Sequence, residues 1–376
     1  MKNLYIVLAS QDFESANHRG LWEELSYIEN TEVLVLNIPA DFFISPFKGR
    51  FDRIKDTFVG SKQVSKNLKV IRPLLLIRPE VSISLLRKLI SNQIWKIIDK
   101  EYTLENIKSI RFIVYNAFWA KIIKESKRNF LMAYYLFDEV ILNANDNTVN
   151  KIRLNHDTYA CGASDIIFLM SEKLMENRQS YTDKMILIGN GSSLISSRQI
   201  DKIEKSVGFI GNFRNWIDKD LLSGLIKEKS DYDFYFIGPI EKDMRNYFNS
   251  LLKNNPNVFY GGVKDKTQIA SAYKRFQVII IPYKNSEFIR ATRPIKIVES
   301  VSLGTPVVTI PIDGYKETDF IKFSRTIGEF AESIEQLTIN GIDFSSTIYK
   351  DFVRDNSWER KASIINSSFE EKFDEN

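Results

Sequence analysis

One cysteine and two histidines are all that a chain of 376 residues offers toward thiol and imidazole chemistry. A lone Cys161 excludes an internal disulfide and a cysteine-based metal cage, fits a reducing compartment, and reads as a small buried apolar residue. No other cluster has metal-ligand spacing. The D-x-D of Asp231 and Asp233 runs straight into the apolar FYFIG and reads as a turn and a strand edge. Long hydrophobic runs are missing too: nothing approaches the roughly 18 to 20 apolar residues that span a bilayer. The N-terminal run from Leu4 to Ala9 is shorter than a signal-peptide core and is followed by Asp12 and Glu14, so it reads as a first strand. Neither a repeat of solenoid period nor a low-complexity tract is present.

Hydrophobic residues make up 44% and charged residues 27%, enough apolar surface to offset the entropy of ordering and enough chain for two domains. The net charge of +4 is unevenly placed. Between Lys48 and Arg72, the cations Lys48, Arg50, Arg53, Lys55, Lys62, Lys66, Lys69 and Arg72 face only Asp52 and Asp56, with Phe47, Phe51 and Phe58 interleaved. Such a stretch suits anionic lipid headgroups or an acidic acceptor, and equally a solvated lysine-rich face.

Short apolar runs alternate with amphipathic stretches, the pattern of parallel α/β sheets. In the first half, strands are expected over residues 4–9, 32–37, 110–115, 131–136, 166–170 and 185–188, with helices over 17–28, 82–98, 118–126, 148–161 and 171–179; residues 38–81 are the least regular. The serine-rich GNGSSLISSRQIDK from Gly189 is the best linker. A second series follows: SVGFIG, a helix over 219–227, YDFYFIG, a helix over 241–253, NVFYGG, a helix over 266–276, QVIIIPY, a helix at Pro294 and the strand TPVVTI. Two doubly wound halves with a cleft between them result, and ligands of such sheets bind beyond the carboxyl ends of the strands. The tail DNSWERKASIINSSFEEKF reads as a last helix.

RATRPIKIVESVSLGTPVVTI, residues 290–310, concentrates the chemistry. Pro294 has its φ preset for helix entry, and Thr292 lies where it can cap that helix. The helix mouth and the cations Arg290, Arg293 and Lys296 make a place for an anion. Lys296 and Glu299 share a helix face, where an ordinary i,i+3 ion pair is the plain alternative. A carboxylate at Glu299 can accept hydrogen bonds from two vicinal hydroxyls, as a ribose offers them.

TRPIKIVESVSLGTPVV resembles the P-x-K-x-x-E-x-x-x-x-G-x-P-V-V segment of GT-B fold glycosyltransferases, particularly the family 4-like bacterial enzymes that build teichuronic acids, capsules and O-antigens. IIIPYKNSEFIRA is similar to the strand and loop before that segment, ASDIIFLMSEKL to the close of the first domain, VGFIGNFRNWID to the opening of the donor domain, and NSWERKA to a helix crossing back. The resemblance implies a GT-B fold of two Rossmann-like domains, 1–198 for the acceptor and 199–354 for the donor, with a C-terminal helix over 355–376 packing on the first. It implies that Glu299 holds the donor ribose, that Lys296 and Arg290 neutralise the diphosphate, and that Gly211 lets the backbone approach the donor, with Asn212 and Arg214 as second-rank members of that pocket. One departure stands out: the second glutamate that retaining members carry eight residues before the helix glutamate is Ala291 here, and Glu287 is four residues too early. Stereochemistry therefore does not carry over.

If the acceptor hydroxyl needs a base, Asp138 comes first, then Glu139, both at the carboxyl end of the 131–136 strand; His18, after the first strand, is the alternative. The expected protein is a cytoplasmic glycosyltransferase, peripheral at the inner face of the plasma membrane through residues 48–72. It would use a UDP-sugar and a lipid-linked or polymeric glycan, with no metal, no other cofactor and no nucleic acid. A UDP-sugar 2-epimerase of the same fold and a non-enzymatic nucleotide- or nucleic-acid-binding module are the other readings.

Overall fold

Near-continuous apolar runs become parallel strands buried on both faces, as their hydrophobicity requires. The computed structural model describes residues 1–41, 60–75, 83–137, 148–195 and 201–375. In the first unit the order is β1 (Lys2–Leu8), α1 (Arg19–Tyr27), β2 (Thr31–Leu36), β3 (Ala40–Asp41), β4 (Lys62–Ser65), β5 (Leu68–Ile71), β6 (Leu74–Leu75), α2 (Ser84–Glu101), β7 (Ile107–Val114), α3 (Phe118–Ile123), β8 (Leu131–Leu136), α4 (Thr148–Ala163), β9 (Ile166–Leu169), α5 (Glu172–Glu176) and β10 (Met185–Leu187). Eight of these strands form one sheet in the order β10-β9-β8-β7-β1-β2-β5-β4, in which only β4 runs antiparallel to its neighbour. The order reverses between β1 and β7.

The second unit contains β11 (Ser206–Ile210), α6 (Lys219–Glu228), β12 (Asp233–Ile237), α7 (Arg245–Asn254), β13 (Val258–Tyr260), α8 (Lys266–Arg275), β14 (Val278–Ile281), α9 (Glu287–Ala291), α10 (Ile295–Ser302), β15 (Val307–Thr309), β16 (Ile321–Phe323), α11 (Ile327–Asn340) and α12 (Thr347–Asp355). Its six strands are parallel, in the order β13-β12-β11-β14-β15-β16, and here the reversal lies between β11 and β14. A final helix, α13 (Trp358–Asp374), belongs to the first unit, which comprises Met1–Gly189 and Trp358–Asn376; the second comprises Asn190–Ser357.

Strand centres lie where the apolar runs place them, and ends differ by at most three residues. Several elements were not expected. β4 and β5 are short, and their lysines interrupt the apolar pattern, yet β5 pairs with β2 inside the main sheet. α9 occupies what reads as a polar loop, and β16, α11 and α12 follow the last expected strand. The division falls after Gly189 rather than 198 because the following residues bond within the second unit: Ser192 N–H donates to Asn356 O at 2.8 Å, and the Asn190 amide donates to Arg293 O. Asp231 pairs with Lys205 at 2.7 Å and Asp233 opens β12, a turn and a strand as expected.

α13 is fastened by a buried cation. The Arg111 side chain on β7 is fully buried and donates to Tyr5 Oη at 2.8 Å, Ser109 Oγ at 2.8 Å and Asn366 Oδ1 at 3.0 Å, and forms an ion pair with Glu370. Asn366 and Glu370 are one helical turn apart, so one face of α13 closes over the guanidinium. Burial tends to raise the Glu370 pKa, but bonds from Lys108 and Arg111 overcome it and hold it at about 2. Truncation of Arg111 removes one bond each from Tyr5, Ser109 and Asn366 and leaves Glu370 with Lys108 and Asn3 alone. Since Glu370 still reaches water, Arg111→Ala should cost about 3 kcal/mol, the low end for a broken buried pair. Denaturant unfolding followed by the first unit's signal checks this; an unchanged midpoint would show that α13 docks by apolar contact alone.

Candidate functional site

The reversal of strand order in the second sheet opens a crevice at the carboxyl ends of β11 and β14, where ligands of doubly wound sheets bind. On the β11 side the chain turns at Gly211, whose φ of +141° is a conformation that side chains resist. A Cβ at Gly238, the equivalent turn after β12, would lie 2.3 Å from Gly211 O, so these two turns approach more closely than any side chain allows. On the β14 side come Pro282, Tyr283, α9 and α10. The two loops are stitched together: Lys284 N–H donates to Trp216 O at 2.8 Å, Asp218 N–H donates to Pro282 O at 2.9 Å, and Ile217 forms an antiparallel bridge with Tyr283.

α10 buries Ile297, Val298 and Val301 and turns Lys296 and Glu299 to its partly accessible side. No ion pair joins these two among the described residues. Lys296 Nζ instead donates to Tyr283 Oη at 2.7 Å and lies 4.6 Å from the Phe209 ring centre. It stands 2.5 Å from where a Cβ on Gly211 would be, so the absent side chain leaves room for the ammonium. The Glu299 carboxylate accepts a long 3.4 Å bond from Tyr273 Oη on α8. Part of the Glu299 residue is accessible, yet its carboxyl group is deep enough that burial pushes its pKa up to about 7, against the Tyr273 bond and the charges of Lys266 and Lys296. Thr305 fixes the turn after α10 by donating to Tyr273 O at 2.6 Å, while Ser300 Oγ donates to Thr305 O at 2.7 Å.

The remaining expected residues are distributed differently. Thr292 does not cap α10: its Oγ1 donates back to Ile289 O at 2.6 Å, closing α9, and Pro294 stands at the cap with no side-chain bond. Pro294 is itself the cap, not the first helical residue, because its ψ of 120° is extended. Arg290 donates to Asn285 Oδ1 at 3.1 Å. Arg293 donates to Gly314 O at 2.9 Å and covers the Tyr315 ring at 4.9 Å, so it also secures the loop before β16. Arg214 pairs with Glu241 at 2.8 Å and lies over the Trp216 ring, and Asn212 is exposed. Glu287 is in the first turn of α9, and Ala291 ends it.

In the first unit, His18 sits at the start of α1, in the loop after β1 and beside the reversal between β1 and β7. It is buried among Tyr115, Tyr135, Phe137 and Trp358, with ring centres 5.0 to 5.9 Å away, and Nε2 has no partner among the described residues. Burial lowers its pKa to about 3, so the ring is neutral at neutral pH. His156 lies mid-helix in α4. Asp138 and Glu139 lie outside the described residues, as do residues 48–59 of the basic stretch. Of its described cations, Lys62 pairs with Glu14, Lys69 with Glu101 and Arg72 with Asp12. Among the described residues, no helix is long and apolar enough to cross a membrane. Tyr273, Tyr283, Trp216 and Gly238 were not foreseen as site residues; the repeated strand-end Ile-Gly at 210–211 and 237–238 was the available signal for the last.

Residues 204–340 match the family described as "Glycosyl transferases group 1", so the second unit carries a glycosyltransferase domain. Among curated proteins, TuaH of Bacillus subtilis (strain 168), named for glycosyl transfer in teichuronic acid biosynthesis, is 30% identical over 102 residues, 27% of this chain and 25% of that protein. The match thus spans about a quarter of its relative. Solved structures cover the whole chain. Sucrose-phosphate synthase from Thermosynechococcus elongatus superposes with a TM-score of 0.69 at 14% identity, over 100% of both chains. Anabaena HepE, in complex with UDP and glucose, gives 0.65 at 13% over 98% of this chain and 100% of its own. S. aureus TarM, solved with Fondaparinux, alpha-GlcNAc-glycerol and UDP, gives 0.62 at 11% over 98% and 100%. The fold is GT-B, as the motifs implied.

The raised Glu299 pKa has a measurable sign. Between about pH 4.5 and 7 the unfolded chain releases this proton while the folded one keeps it, so native stability falls as pH rises and the full cost is present above 7. Glu299→Gln should therefore melt at the wild-type temperature near pH 4.5 and progressively above it toward pH 8. Parallel melting curves at all pH values would show that the carboxyl is effectively solvated.

Proposed function

We propose that the chain is a glycosyltransferase that moves a sugar from a nucleotide-diphosphate donor, a UDP-sugar, to a hydroxyl of a lipid-linked or polymeric surface glycan, without a metal. One observation carries the reading: Lys296 and Glu299 lie on one face of α10 at the crevice, each bonded to a different tyrosine and not to the other. An ammonium with donors to spare suits a diphosphate, and a carboxylate one turn on suits the 2′- and 3′-hydroxyls of the attached ribose. That HepE and TarM were both solved with UDP supports that donor class.

In this reaction the bond from the sugar's anomeric carbon to the β-phosphate oxygen breaks, and a bond to the acceptor oxygen forms. Charge grows on the departing phosphate, where Lys296 and the amides opening α10 stabilise it. The acceptor proton passes to a base, for which Asp138 is the first candidate and Glu139 the second. His18, neutral and enclosed by aromatic rings, serves packing in the state described. Arg290 stands near the start of α10 as an additional cation. The basic residues between Lys48 and Arg72 hold the enzyme at the cytoplasmic membrane surface, where lipid-linked acceptors are found.

Two variants separate the roles at the nucleotide. Lys296→Ala should weaken UDP about 10- to 100-fold while leaving uridine nearly unchanged; Glu299→Ala should weaken both by a similar factor and abolish transfer, as expected for lost hydrogen bonds to charged groups. Calorimetric titration checks this, and wild-type affinity for UDP in both variants would refute the site. For the membrane contact, replacing Lys48, Arg50, Arg53 and Lys55 by Gln should abolish co-sedimentation with phosphatidylglycerol vesicles. Unaltered sedimentation would mean that the charge is incidental.

A further inference from the structure

Trp216 is the one large aromatic side chain of the crevice loops with 37% of its surface accessible. It is a fixed feature of the loop. Its carbonyl accepts the Lys284 amide, its neighbour Ile217 bridges to Tyr283, and Asp218 caps α6 by accepting the amides of Asp220 and Leu221. The Tyr283 and Phe288 rings meet the indole edge-on at 6.3 and 6.2 Å, and the Arg214 guanidinium lies 5.1 Å from its centre. Glu241 in turn holds Arg214 at 2.8 Å. Three side chains, one of them held in turn by Glu241, thus flank an indole that is not fully covered, which costs apolar exposure with no return in the unliganded chain.

The position gives the exposure a purpose. Tyr283 is shared: its hydroxyl accepts from Lys296 while its ring abuts Trp216. The indole is therefore one aromatic ring away from the ammonium assigned above to the diphosphate, within reach of a sugar attached to that diphosphate or of a sugar about to receive one. A pyranose presents a face of axial C–H groups that packs on an aromatic face, with its hydroxyls left at the rim, where Arg214 and Asn212 offer polar partners.

We infer that Trp216 is the platform of a pyranose subsite and sets sugar specificity at this crevice. The inference rests on the nucleotide-sugar reading of the site. Both sugars of the reaction share the recognised chemistry, and the test distinguishes them.

Wild type, Trp216→Ala and Trp216→Phe are titrated with UDP, with UDP-glucose and UDP-N-acetylglucosamine, and with methyl glucoside in saturating UDP. If the platform serves the donor, the alanine variant binds UDP within two-fold of wild type but loses at least five-fold in affinity for a UDP-sugar, and phenylalanine restores most of it. If it serves the acceptor, UDP and both UDP-sugars bind as in wild type and the glycoside affinity falls at least five-fold. Unchanged affinities in both arms overturn the inference. So does an equal loss for UDP itself, which would make Trp216 only a latch for the loop. A wild-type protein that binds no UDP would instead sink the nucleotide-sugar reading, and this inference with it.

Discussion

Two tyrosine hydroxyls keep the charges of one short helix apart, and the site depends on that separation. On a bare helix, Lys296 and Glu299 at i,i+3 would drift together for a few tenths of a kcal/mol. Here Tyr283, arriving from β14, engages the ammonium at 2.7 Å, and Tyr273, from α8, faces the carboxyl at 3.4 Å. Neither hydroxyl carries a charge of its own, and the two side chains stay apart on one face of the helix. The fold supplies the cost: apolar residues behind α10 and the Thr305 contacts to Tyr273 fix the helix, and a carboxyl group is kept where burial disfavours its ionised form.

Backbone geometry sets the other wall. With strand order reversing between β11 and β14, the connections that follow them leave in opposite directions along the sheet, while their first residues stay tied by the Lys284–Trp216 and Asp218–Pro282 bonds. The Cβ missing from Gly238 lets two strand ends approach to a separation that a methyl group would forbid, and the Cβ missing from Gly211 admits Lys296. The ammonium thus sits beside the Gly211 backbone and over the Phe209 ring.

Much of this was legible in the sequence because parallel strands and α10 announce themselves locally. VIII and SVGFI are continuous apolar runs, and Pro294 followed by Ile297, Val298 and Val301 marks one buried helix face. Lys296 and Glu299 came from that helical spacing. What escaped the sequence is what depends on distant partners. Nothing near Tyr273 or Tyr283 says that their hydroxyls meet α10, since their partners lie 26 and 13 positions along the chain. Thr292 looked like a cap for α10, but a whole short helix, α9, precedes it and takes its hydroxyl. Arg293 reads as a phosphate ligand until Gly314 and Tyr315 come alongside. The aromatic enclosure of His18 required Trp358, from the far end of the chain.

That last contact has a consequence for how the molecule is made. The first unit is interrupted: its sheet is complete by Leu187, but its closing helix begins at Trp358. As the chain leaves the ribosome, Arg111 is without Glu370, and His18 is without one wall of its enclosure, until all of the second unit has been synthesised. Native burial of that arginine and histidine must then await translation of the residues after Ser357, whereas the second unit, continuous from Asn190 to Ser357, can close on itself first.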